Sequence, residues 1–179
     1  MHDWNMVVTV RDRGWGQALR LLRPLAAVEE THYYNVLLAR AEDPRRLLDA
    51  LLERAAADPE ATACIARVVP VKETFAFQTV EEFEARARDA VRALAPALAG
   101  RSFHVRLHRR GMKGRLSSHA EEQMLAGTLL DALAEAGTPG RVAFEDPEAI
   151  VFVEIVGSRA GACVITRDER SRYPFLRHA

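Results

Sequence analysis

The sequence contains only two cysteines, Cys64 and Cys163, far apart in the chain. That leaves no disulfide framework, no CxxC redox pair and no cysteine-rich metal cluster, and two buried thiols in a reducing compartment are expected. No apolar run reaches the roughly 18 to 20 residues that a bilayer-spanning helix requires. The opening MHDWNMVVTV has no basic stretch leading into a long apolar segment, so no signal peptide is expected and the location is read as cytoplasmic. Net charge is missing as well, with 25 basic and 25 acidic residues. Such balance argues against a surface that binds polyanions everywhere, but it allows one local basic site. Also absent are a Walker loop, a Ser-His-Asp context, paired carboxylates with an arguable geometry, a solenoid-period repeat and any low-complexity tract. These absences lead to the expectation of no catalytic residues, no cofactor and no metal.

What is present describes a folded α/β chain. Hydrophobic residues make up 49% and charged residues 28% of 179 positions, enough for one large domain or two small ones. MVVTV (6–10) is rich in β-branched residues and reads as a strand, as do YYNVLLA (33–39) and ACIARVVPV (63–71). Between them, Leu19, Leu22 and Leu25 lie at helical spacing, and Asp43-Pro44 heads a helix whose buried stripe is Leu47, Leu48, Leu51, Leu52 and Ala55. The order is β-α-β-α-β, a ferredoxin-like half. Thr79 and Glu82 have capping-box spacing before a helix with Phe83, Ala87, Val91 and Leu94 on one side. Ser118 and Glu121 repeat that spacing before a long helix that Gly137 is placed to stop. IVFVEIV (150–156) and ACVITR (162–167) read as strands joined by a GSRAG hairpin loop. The weakest stretch, 72–79, divides the chain into residues 1–75 and 76–179.

Charge is distributed unevenly. Residues 101–119 carry six Arg or Lys and no acid, whereas residues 120–157 carry one and eight. Phe103, Val105 and Leu107 alternate with His104, Arg106 and His108, giving a strand with one apolar and one cationic face. The loop RRGMKGR follows, and then the head of a helix, whose unpaired N–H groups and dipole favour an anion. Arg109, Arg110, Lys113 and Arg115 surround that point, and their reach suits phosphates spaced along a backbone. The plainer reading is a solvated basic loop balanced by the acidic segment after it.

These residues resemble a family. FHVRLHRRG, a Ser-capped helix, DPEAIVFVEIV (146–156) and CVITR, in that order, are similar to a THUMP domain, and in particular to the stand-alone THUMP proteins that act as tRNA-binding adaptors for RNA cytidine acetyltransferase. IARVVPV (65–71) is similar to the stretch that leads into THUMP in those proteins, and RSRYPFLR (170–177) to their ending. The resemblance implies an N-terminal ferredoxin-like domain (1–75) and a THUMP α/β domain (76–179). It further implies a noncatalytic adaptor presenting tRNA to a separate modifying enzyme, such as one performing cytidine N4-acetylation. Carried over by position, the RNA contacts are Arg106, Arg109, Arg110, Lys113 and Arg115, with Ser117 and Ser118 as phosphate donors and Arg170 and Arg172 extending the patch. The GMKGR loop departs from the Asn-rich sequence found there in eukaryotic adaptors. The alternative is a protein–protein module whose basic patch meets an acidic partner.

Other features are assigned to structure. RGWGQAL (13–19) lacks the third glycine of a dinucleotide fingerprint and reads as a strand-to-helix turn. His104 and His108 read as exposed sheet-face residues rather than a metal pair. Trp4, Trp15, Tyr33 and Tyr34 read as core packing. Glu154, inside an apolar strand, is expected to be buried against a basic residue of the 103–109 strand, because an unpaired buried charge is costly.

Overall fold

The computed structural model describes residues 1–176, apart from the side chain of Glu73. The chain forms two compact units, one from Met1–Val71 joined by the segment that starts at Arg170, the other from Lys72–Glu169. This differs from a consecutive division after residue 75 in that the boundary falls after Val71 and the segment that starts at Arg170 groups with the first unit.

In the first unit, β1 (Met6–Val10), β2 (Ala27–Glu30), β3 (Val36–Arg40) and β4 (Ile65–Pro70) form an antiparallel sheet in the order β2-β3-β1-β4. Helix α1 (Trp15–Leu22) connects β1 to β2, and α2 (Pro44–Ala57) with the short α3 (Pro59–Thr62) connects β3 to β4. The resulting β-α-β-β-α-β order is the split β-α-β arrangement, with one strand more than the sequence predicts. The added strand, β2, is AVEE on the sheet edge and mostly exposed, so it carries no apolar alternation to detect. The α2 cap is as expected: Asp43 accepts the Arg45 N–H at 2.9 Å, with Pro44 in the first turn. Gly14 lies so close to Cys64 that a Cβ would come within 2.8 Å of its side chain, which explains the glycine without a cofactor. The returning tail is fixed by Asp49 of α2, whose Oδ1 accepts from the Tyr173 hydroxyl at 2.6 Å and from Arg172 at 2.9 Å.

The second unit has the sheet order β5-β9-β8-β6-β7. Its strands are β5 (Glu73–Ala76), β6 (Ser102–Arg110), β7 (Arg141–Val142), β8 (Ala149–Val156) and β9 (Arg159–Thr166). β6 runs parallel to β8, the crossover between them passing through α5 (Ser118–Glu135), and β8 and β9 form a hairpin. Phe103, Val105 and Leu107 of β6 join Val151, Val153 and Ile155 of β8 in one core, covered by Phe83, Ala87 and Val91 of α4 (Val80–Leu94) and by Leu125, Leu129 and Leu133 of α5. The head of α4 is capped from both sides: Thr79 accepts the Glu82 N–H at 3.1 Å, and Glu82 reaches back one residue beyond the cap to accept the Gln78 N–H at 2.7 Å. Short β5 and β7 escape sequence detection for the same reason as β2. The hairpin turn is tighter than GSRAG, since Arg159–Gly161 already belong to β9.

Candidate nucleic-acid interface

Strand parity sorts the basic segment. Phe103, Val105 and Leu107 of β6 pack into the core, so Ser102, His104, Arg106, His108 and Arg110 point to the other face of the sheet. There they meet Glu154 of β8, which is fully buried. Its two oxygens accept from His108 Nδ1 at 2.7 Å and from the Arg110 guanidinium, and His108 also stacks on Phe152. The expected buried pair for Glu154 therefore exists. It also takes up Arg110, whose side chain is only 13% exposed. Arg106 is half-buried on this same face, its Nε enclosed without a hydrogen-bond partner. Neither histidine fits an exposed sheet face: His104 is 4% exposed and His108 is held by Glu154.

After Arg110 the chain turns sharply. Gly111, Met112 and Gly114 all have positive φ, at 97°, 56° and 75°, a conformation that glycine adopts without a Cβ clash and methionine rarely does. The turn is closed by the Arg115 and Leu116 N–H groups, both donated to the Met112 carbonyl, and anchored by Leu116, buried in the core. Lys113 and Arg115 are thereby held outward and exposed, while Arg109 is half-buried with its guanidinium on the Gly111 carbonyl at 3.3 Å. Ser117, not Ser118, caps α5, accepting from Ala120 N–H at 3.4 Å. With Leu116 fixed in the core, the chain enters the helix one position earlier than the capping-box spacing predicts. Glu121 does not complete a box; it is buried against α4, with burial first and the Glu84 carboxylate second raising its pKa.

The structure thus gathers Arg109, Lys113, Arg115, Ser117 and Ser118 around one turn and the head of one helix. Arg106 and Arg110 lie on the other sheet face. Arg170 and Arg172 belong to the first unit's tail, where Arg172 is paired with Asp49 and lies over the Tyr173 ring. Two exposed aromatic rings were not anticipated as surface features: Tyr34, 81% exposed with its hydroxyl donated to Asp12, and Phe144, 73% exposed. Tyr34 corrects the core-packing assignment made for the four first-unit aromatics, whereas Trp4 satisfies it at 2% exposure. Among the described residues no cluster of three or more potential metal ligands occurs, and no helix is long and apolar enough to cross a membrane.

No protein-family model and no curated protein matches this chain. Solved structures do. PH1313 from Pyrococcus horikoshii Ot3 superposes with a TM-score of 0.62 at 14% identity, covering 90% of this chain and 54% of that one. A 4-thiouridine synthetase in complex with RNA and bound ATP gives 0.56 at 14% identity, covering 92% and 42%. SMU.472, a putative methyltransferase complexed with SAH, gives 0.56 at 13%, covering 92% and 41%. The chain therefore spans about half, or less, of the length of the structures it matches. The expectation that it is no enzyme does not stand: this fold occurs within larger chains described as a 4-thiouridine synthetase and a putative methyltransferase, so the lack of a catalytic constellation in this part excludes nothing for the whole. At such identities the likeness is one of fold: a mixed α/β architecture of two sheets, shared over nine-tenths of this chain.

Proposed function

We propose that this chain is a THUMP-type tRNA-binding protein that presents tRNA to a modifying catalytic centre, whether on the same protein or on a separate enzyme such as an RNA cytidine N4-acetyltransferase, for which it would be the adaptor. One observation carries the reading. The turn at 109–116 holds Arg109, Lys113 and Arg115 around the capped head of α5, where Ser117 and Ser118 add hydroxyls and helix N–H groups add a positive field. Several cations at the end of a rigid strand-turn-helix suit a series of phosphates better than a single small anion. The fold likeness to a synthetase solved with RNA supports the same direction. The unit would act by positioning: a second contact to one tRNA raises the effective concentration of the target nucleotide at the catalytic centre.

The test is tRNA binding over a salt series, wild type beside an Arg109→Ala/Lys113→Ala/Arg115→Ala variant. Removing about three phosphate contacts should flatten the log–log salt slope by roughly 2 to 3 units. Competition by folded against unfolded tRNA then asks whether shape is read. A wild-type protein that ignores tRNA at low salt would overturn the proposal and favour an acidic protein partner.

A further inference from the structure

Beside the head of α5, the outer face of that helix and the edge formed by β6 and β7 enclose an open cleft of about 370 Å³, within the size range of small-ligand sites. Its helical wall is Glu122, Gln123, Ala126, Gly127 and Leu130, the Glu122 carboxylate accepting the Leu107 N–H at 2.8 Å, and Phe144 and His119 stand at its rim. The Phe144 ring is stacked on His104 at 5.7 Å and 21° between planes. His104 is itself buried, its Nδ1 3.0 Å from the Ala143 carbonyl oxygen. The exposed ring is therefore backed on one side by a fixed neighbour.

Gly127 lies inside an 18-residue helix, where glycine is a poor choice beside alanine. Nothing in the fold requires it: φ is not positive, and an added Cβ would meet no atom within 4 Å. What glycine does there is keep the cleft's wall flat. A flat wall, a backed aromatic ring and a few polar groups at the margin match a planar heteroaromatic ring with hydrogen-bonding edges. Gln123 and His119 supply donors and acceptors at that margin, whereas an aliphatic anchor from a protein partner would call for neither. His119 also belongs to the first turn of α5, so the cleft continues directly from the turn proposed to meet phosphates.

We propose that the cleft takes one unpaired RNA base, stacked on Phe144 against the Gly127 wall, with Gln123 and His119 reading its edge. The proposal rests on the RNA-binding reading for the source of the base, but its chemistry can be tested apart from tRNA. Isotope-labelled full-length protein is titrated with the four nucleoside 5′-monophosphates and, as a base-free control, with ribose 5-phosphate. The Gly127 amide and Phe144 ring resonances should shift saturably with at least one nucleotide and stay still with ribose 5-phosphate. Gly127→Leu, which fills the cleft with a good helix former, and Phe144→Ala should abolish the shifts. On tRNA these variants should bind roughly 5- to 150-fold more weakly, the loss of one stacked base. Gly127→Leu is expected to melt no lower than wild type, so its loss of binding would not be a loss of fold. Resonances that stay still with all four nucleotides, or a Gly127→Leu variant that binds tRNA like wild type, would overturn the base site. Shifts at Gly127 in a protein that does not bind tRNA would instead overturn the RNA reading and leave a nucleobase site standing.

Discussion

The buried carboxylate of Glu154 offers the sharpest test of which arginines belong to the fold. Replacing Arg110 with Met keeps most of the apolar stem of the side chain and removes the guanidinium partner of a group with no exposure to water. Breaking a buried pair from one side costs about 3 to 5 kcal/mol, because the remaining charge is left uncompensated. Here His108 stays at 2.7 Å on the other oxygen, so the lower end, about 3 kcal/mol, is expected. For a chain of this size that corresponds to a fall in melting temperature of about 6 to 12 °C. The double variant Arg110→Met/Glu154→Leu removes both charges and replaces them with apolar volume, a change that is often neutral or stabilising. It should recover most of the loss. Thermal unfolding followed by circular dichroism measures both, and tRNA titration of the double variant supplies the functional control. If Arg110 serves Glu154 alone, affinity and salt slope remain those of wild type. A single variant that melts with wild type, or a double variant that folds but binds RNA with a flatter salt slope, would refute the assignment.

Two other groups give direct readouts. Burial, reinforced by Glu84, raises the Glu121 pKa above its ordinary 4.5, so the folded state binds the proton more tightly than the unfolded chain does. Stability from this group is therefore full below pH 4.5 and is lost as pH rises through the folded pKa. Glu121→Gln should be more stable than wild type at pH 7, with the gap closing by about pH 4; denaturant midpoints at the two pH values check this, and a gap that widens on acidification would reverse the sign. Glu148, lowered by the N–H and hydroxyl of Ser102, has the opposite dependence and loses its contribution below pH 4.5, but wild type and Glu121→Gln share it, so it drops out of their difference. Both cysteines are buried with pKa values raised by desolvation, Cys163 well above the usual thiol range, so native protein at neutral pH should show almost no reaction with a thiol-specific disulfide reagent, and unfolded protein should show two thiols.

Whatever buries apolar surface by a regular period was legible in the sequence. The stripes of α2, α4 and α5 and the runs that became β1, β3, β4, β6, β8 and β9 declare themselves, because their side chains must face a core. Edge strands do not. AVEE at β2 and the two residues of β7 pair through backbone groups that every residue possesses, so composition carries no trace of them. Helix heads were readable to within one position, and the error at Ser117 came from a tertiary contact, Leu116 in the core. The cleft was not legible, since it depends on where Phe144 lies relative to a glycine seventeen positions earlier.

Charge behaves differently from hydrophobicity, and the basic segment shows why. A count along the chain records every cation, but it cannot tell which of them face an internal carboxylate. Period-two alternation placed Arg106 and His108 on the face opposite the core, and position 154 held a glutamate in an apolar strand, so part of the Glu154 cluster was present in the sequence, whereas Arg110 was read as part of the loop. Only the parallel register, in which His108 lies beside Glu154 and Arg110 beside Val156, brings them together. Five candidate arginines and lysines thus reduce to three, Arg109, Lys113 and Arg115, that the fold leaves at the turn. If each neutralises one phosphate, this segment contributes about 2 to 3 units of salt slope rather than the 4 to 5 that the sequence count implies. A measured loss near the larger figure on neutralising all five positions, in a protein that still melts like wild type, would mean that Arg106 and Arg110 leave the sheet face to reach RNA.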